Sequence, residues 1–242
     1  MSRAFCLLAL TLACLALALP AVAERFVFSS LEVFPRSAPD GSGFEDRILA
    51  EAMRRLGHDF ELVRIPSERA LVSLDQGLID GEYVRIAGLG TTYPSIVMVA
   101  EPIAKMEFVA ITLSPSLPID SWKDLEGLRL GVIRGWKIVE DKTRGFPKLQ
   151  PMRDEAGLFD MLAYGRVDAI VYERLEGTRQ LSKPGAPAGM RMGKTLEFRD
   201  MYLYLSGRRA SLAAPLAAEL RELRSEGFID KVTDEVTAAA FK

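Results

Sequence analysis

The chain has 242 residues, 49% of them hydrophobic and 26% charged, and a formal net charge of −2. That length accommodates one large domain or two of ordinary size. Its 31 basic and 33 acidic side chains, with no basic block, argue against nucleic acid or an anionic membrane as partner. One histidine and two cysteines leave almost nothing from which to build a zinc site or a His-based triad.

Residues 1–23 have the form of a secretory signal: Arg3, an apolar run over 5–19, and Ala21-Val22-Ala23 as an A-x-A cleavage site. Cleavage after Ala23 would send the chain to the periplasm with Glu24 first. Both cysteines, Cys6 and Cys14, would leave with the signal, so no disulfide is expected in that oxidising compartment.

Residues 25–33 read as a first strand. Gly43-Phe44-Glu45-Asp46 starts a helix with acids in its first turn. Ile48, Leu49, Ala52, Met53 and Leu56 form its apolar stripe, and Gly57 stops it. His58 follows as a solvated turn residue. Residues 60–65 are a second strand, Pro66-Ser67 precedes a second helix, and Asp80 begins a third strand. This alternation predicts a parallel, doubly wound sheet.

The phrase ALVSLDQGLIDGEY, from Ala70, recurs in outline as LFDMLAYGRVDAIV, from Leu158. Leu74 aligns with Leu162, Gly77 with Gly165, Ile79 with Val167 and Asp80 with Asp168. Each copy reads as a helix ended by a glycine, then a short link into an apolar strand. Two copies in one chain suggest two similar α/β lobes with a ligand cleft between them.

Between the copies, 102–113 is an extended run and 117–127 a polar link with a short helix at Ser121-Trp122-Lys123-Asp124-Leu125. Residues 128–133 form a strand, and Arg134-Gly135-Trp136-Lys137 opens a helix. Strands follow at 149–152 and 169–172, then a loop at 183–189 and a second extended run over 195–205. The tail, 212–241, is helical with a break at Gly227. The two extended runs would cross between lobes near 107–110 and 196–199, as a two-stranded hinge does.

These elements resemble an extracellular solute-binding protein of family 3, the periplasmic polar-amino-acid type. The matching pieces are Gly43-Phe44-Glu45, Leu74…Gly77…Ile79-Asp80, Trp122…Asp124-Leu125…Gly127…Gly131-Val132, Gly165-Arg166-Val167-Asp168-Ala169 and Leu223…Gly227-Phe228-Ile229-Asp230-Lys231. The resemblance implies a type II periplasmic-binding-protein fold of two doubly wound α/β lobes. Lobe 1 would comprise 24–108 and 197–242, and lobe 2 would comprise 109–196. It further implies a monomer that traps a small-molecule ligand for an inner-membrane ABC permease or a sensor receptor, with no cofactor and no catalysis.

A zwitterionic ligand needs a fixed anion and a fixed cation, each with partners once buried. In the family an acid at the position of Glu173 meets the ligand's ammonium, at a strand C-terminus where open α/β sheets bind ligands. A solvated pair with Arg174 is the plainer reading of Glu173. The Arg134-Gly135-Trp136 turn replaces the family's hydroxyl turn, where backbone N–H groups receive a carboxylate. Trp136 would stack on the ligand, plug the space or serve the core. Arg85 stands early for the family's carboxylate-gripping arginine, and can clamp a carboxylate or be neutralised by Glu82. Arg69 is a second candidate, and Phe34 is placed to cover an apolar ligand face. The runner-up is an enzyme on the same fold, a cyclohexadienyl or arogenate dehydratase. A third reading is a sensor or scaffold with a degenerate pocket.

Overall fold

The computed structural model describes residues 25–30 and 33–242; the expected signal and cleavage site lie outside them. Nine strands and seven helices are placed among the described residues. The strands are β1 Phe26–Ser29, β2 Phe60–Val63, β3 Gly81–Arg85, β4 Ile96–Met98, β5 Ala104–Thr112, β6 Leu130–Ile133, β7 Leu149–Met152, β8 Ala169–Glu173 and β9 Arg191–Ser206. The helices are α1 Phe44–Arg55, α2 Ser67–Asp75, α3 Lys137–Lys142, α4 Glu155–Ala163, α5 Arg174–Ser182, α6 Ala213–Ser225 and α7 Phe228–Ala240. One curled sheet runs β2-β1-β3-β9-β5-β8-β6-β7, with β4 added to β9.

Two α/β lobes share this sheet. In lobe 1, β1 pairs in parallel with β2 and β3; in lobe 2, β6 pairs in parallel with β7 and β8. The long antiparallel pair β5–β9 joins them, from Ala104 opposite Met201 to Thr112 opposite Arg191. Both lobes are thus parallel near their centres and antiparallel where the chain passes between them.

The repeated phrase does the same work in each lobe. Gly77 (φ 70°) and Gly165 (φ 63°) end their helices in the left-handed conformation. The Asp80 carboxylate then accepts the Val27 N–H at 2.9 Å, and Asp168 accepts the Arg129 N–H at 2.8 Å. Asp80 and Asp168 also donate their own N–H groups back to the Val27 and Arg129 carbonyls, at 2.8 and 2.7 Å. Each aspartate so fastens a new strand beside the first strand of its lobe.

Helix α1 starts where its acids predict: Asp46 Oδ2 accepts from the Gly43 and Ala38 N–H groups at 3.2 and 2.7 Å. Ile48, Leu49, Ala52 and Met53 along its inner face are fully buried, worth about 1.5–3 kcal/mol for each large side chain.

The structure departs from the sequence reading in four places. The first strand stops at Ser29 rather than 33, because the chain turns over 34–37 to carry Arg36 inward. β4 and α5 have short, weakly patterned sequences and were not expected. β9 begins at Arg191, pairing with the whole of β5. His58 is half-buried, its ring 5.0 Å from that of Phe26.

Candidate functional site

The parallel strands of both lobes point their C-terminal ends at the interlobe cleft, where open α/β sheets bind ligands. Ser30 and Val33 follow β1, Arg64 to Ser67 follow β2, and Arg85 ends β3. From lobe 2, Arg134 to Trp136 follow β6, Arg153 to Ala156 follow β7, and Glu173 ends β8. A cavity of about 530 Å³ lies between these loops, walled by Ser30, Arg64 and Ser67 on one side and Trp136, Arg153 and Tyr172 on the other. Two of its wall residues carry buried donors, Ser67 Oγ and Trp136 Nε1, with no hydrogen-bond partner among the described residues.

Glu82 and Arg85 are three residues apart and would face opposite sides of a regular strand. A bulge against β9 between them, with Val84 at φ 69°, turns them to the same side. A β-branched residue rarely adopts that conformation, which costs on the order of 1–3 kcal/mol and is held by its buried surroundings. Arg85 pairs with Glu82, donates to Ser67 O at 2.7 Å, and reaches across to Gly135 O of lobe 2 at 3.1 Å. Burial raises the Glu82 pKa, with Arg85 opposing it. The cavity beside Arg85 is about 20 Å³, the size of one water.

Trp136 fills the adjoining space. Its ring stacks on Tyr172 (centroids 5.2 Å apart, 16° between planes) and meets Phe108 edge-on at 6.0 Å. Gly135, at φ 85°, lies so close to lobe 1 that a Cβ would stand 2.5 Å from the Glu68 nitrogen and 2.9 Å from Ser67 Cβ. Glycine alone lets the lobes meet there.

Glu173 is buried and does not pair with Arg174, which binds Glu107 instead. Its partner is Arg36, which the sequence reading passed over. Arg36 donates to Glu173 Oε1 at 2.9 Å, to Glu45 Oε1 at 2.7 Å and to the Lys105 carbonyl at 3.2 Å, and lies 3.4 Å from Glu176 Oε1. Glu173 also caps α5 by accepting the Glu176 N–H at 3.0 Å. Three carboxylates therefore surround one guanidinium, all buried, across the lobe boundary. Burial, set against the Arg36 charge, pushes the Glu45 pKa to about 7. Burial and the Glu173 charge drive Glu176 well above the ordinary carboxylate range. Burial alone would lower Arg36, but the three acids hold it charged.

The remaining candidates sit at the rim. Phe34 is half-buried, its ring under the Arg179 guanidinium at 5.9 Å. Arg69 and Arg134 are exposed around a second concavity of about 390 Å³, with Pro66, Glu68, Val72 and Arg153. Lys137 joins the lobes there through Glu68, and holds Glu140 at 2.9 Å. The structure thus gathers Glu82, Arg85, Gly135 and Trp136 into one contact and places Glu173 in another. No ordinary signal in the sequence marks Arg36, one arginine in a loop among many. Among the described residues, no group of His, Cys, Asp or Glu side chains is arranged to hold a metal ion, and no helix is long and apolar enough to cross a membrane.

No protein-family model matches the chain. An uncharacterized protein of Shewanella oneidensis strain MR-1 is 25% identical over 202 residues, covering 79% of this chain and 75% of that protein. Among solved structures, the GluR0 ligand-binding core in complex with L-glutamate has a TM-score of 0.78, with 13% identity over 89% of this chain and 99% of that one. A histidine kinase sensor domain with similarity to periplasmic binding proteins reaches 0.77, with 15% identity over 88% and 95%. An amino acid ABC transporter substrate-binding protein from Streptococcus pneumoniae, bound to L-arginine, reaches 0.74, with 16% identity over 90% and 96%. The fold is that of the type II periplasmic binding proteins. At these identities the likeness concerns fold, while the side chains of the cleft are this chain's own.

Proposed function

We propose that this protein is a periplasmic, monomeric solute-binding protein that captures a small polar solute, an amino acid or related carboxylate, between its lobes. It performs no catalysis, and it presents the solute to an inner-membrane ABC permease or a sensor receptor. The reading rests on one observation above the others: the cavity of about 530 Å³ has walls from both lobes, at the strand ends where such sheets bind ligands. Lobe closure would then follow solute capture. Fold neighbours that bind L-glutamate and L-arginine support the class of activity.

A second reading, a sensor or scaffold with a degenerate pocket, is favoured by the internal pairing of Arg85 with Glu82 and of Glu173 with Arg36. A thermal-shift screen of the purified protein against amino acids, amines and small carboxylates separates the two. A ligand present at 100 times its dissociation constant adds about 2.7 kcal/mol and a clear melting shift. Gly135→Ala should abolish that shift while leaving the protein folded, because the new methyl group would strike the lobe 1 backbone and hold the cleft open. Small-angle scattering would then give a larger radius of gyration. The absence of any ligand below about millimolar affinity would favour the degenerate pocket.

A further inference from the structure

The cleft is uneven in charge, and the unevenness bears on what it holds. Arg153 and Pro66 line both the 530 Å³ cavity and the 390 Å³ concavity outside it, so the two adjoin. Four arginines border the combined space: Arg64 and Arg69 from lobe 1, Arg134 and Arg153 from lobe 2. Arg69, Arg134 and Arg153 are exposed and make no ion pair with any described residue. The acids nearby are already engaged. Glu68 holds Lys137 and the Tyr93 hydroxyl, Asp154 caps the Gly157 N–H, and Glu155 accepts the Tyr172 hydroxyl. Like charges brought together from two lobes oppose closure unless an anion lies between them.

The buried groups of the cleft agree in sign. Trp136 Nε1 is a donor only, and the Ser67 hydroxyl is free to donate. A zwitterion, by contrast, finds its usual partners occupied. Glu173 is held by Arg36 and the Glu176 N–H, and Arg85 is neutralised by Glu82 and donates to two carbonyls, with only its Nε–H left unpartnered among the described residues. An incoming ammonium would have to displace a buried, three-carboxylate-bound guanidinium to reach Glu173.

We propose that the cleft takes a small molecule carrying at least two negative charges, a polycarboxylate or a phosphate ester, gripped by Arg69, Arg134 and Arg153. The proposal rests on the solute-binding reading above and names its substrate class. Guanidinium groups suit both kinds of anion, since each offers paired oxygens to the planar fork. An anion held from both lobes would also offset the repulsion between their rim arginines, which couples binding to the contact between the lobes.

Isothermal titration of the purified protein with succinate, citrate, inorganic phosphate and glycerol 3-phosphate, beside L-glutamine and L-arginine, provides the test. Binding of at least one of the first four is expected, weakening severalfold as salt is raised from about 0.05 to 0.5 M. The preferred anion tells carboxylate from phosphate. Arg153→Ala should weaken it about tenfold or more, with Arg153→Lys intermediate, because lysine keeps the charge and loses the fork. Arg153 is exposed, so both variants should melt with the parent. Tighter binding of glutamine or arginine than of any dianion would overturn the substrate class and leave the solute-binding reading standing. Binding of none of the six probes would overturn the substrate class, and extending the screen would decide the solute-binding reading separately.

Discussion

Two of the ionic bridges between the lobes differ in almost every physical respect. Arg36 meets Glu173 with 6% and 2% of the side chains exposed, among two further buried acids. Lys137 meets Glu68 with 19% and 41% exposed, beside a second acid on its own helix. The buried bridge sets three acids around one base, and burial pushes two of its carboxyls up. The outer one sets two acids around one base and is wet, and its lysine, against burial, holds Glu68 below the usual carboxylate range. A buried cluster contributes little net stability when whole, but losing one member leaves a charge that water cannot reach. An exposed pair contributes little and costs little to lose. The contrast assigns the fixed geometry of the closed state to Arg36 and leaves Lys137 as a tether.

Arg36→Met is the most severe way to break this contrast. It removes the cation that Glu45, Glu173 and Glu176 share and should destabilise the protein by roughly 3–5 kcal/mol, read by urea unfolding. Adding Glu45→Gln and Glu173→Gln to the Met variant should recover part of the loss, since the penalty is one of stranded charge. A double-mutant cycle with little coupling would show that the cluster is not one unit.

The buried bridge should also make stability depend on pH near neutrality. Burial pushes the Glu45 carboxyl up to about 7 in the fold, from an ordinary 4.5 in the unfolded chain. Between those values the folded chain keeps a proton that the unfolded chain has lost. Stability therefore falls as pH rises through the window, by roughly 3 kcal/mol in all. Glu176, raised in the same direction, extends the fall to higher pH. Unfolding curves at pH 5, 6, 7 and 8 would check the slope, and Glu45→Gln should flatten it.

The two regions were unequally legible in the sequence. Repeats, glycine stops and alternating patterns are local signals, and they marked the two groups of parallel strands and the long antiparallel pair between them; Asp80 and Asp168 even proved to fasten equivalent strands. Glu173 was visible because a strand ends there. Its partner was hidden, because Arg36 reaches it over 137 residues of chain and through a loop with no periodicity. The Glu82–Arg85 pair was foreseeable as neutralisation, but the Val84 bulge that permits it has no glycine to announce it. Arg69, Arg134 and Arg153 were readable only one at a time, since their convergence is a property of a helix and two loops from different lobes.

The smallest expected effect sharpens the comparison from the other side. Glu68→Gln removes the lobe 1 half of the outer bridge while Lys137 keeps Glu140 at 2.9 Å. Burial would lower the Lys137 pKa, but the hydrogen bonds to Glu68 and Glu140 more than offset it, so one remaining acid still holds the ammonium charged. Glutamine also preserves an acceptor for the Tyr93 hydroxyl, which donates to Glu68 at 3.1 Å. The loss should stay below about 1 kcal/mol and shrink further in molar salt, where exposed pairs are screened. A loss near that of Arg36→Met would mean that the outer contact, rather than the buried one, sets the lobe geometry. A small, salt-sensitive loss would leave the closed state defined by a guanidinium that no ligand brings.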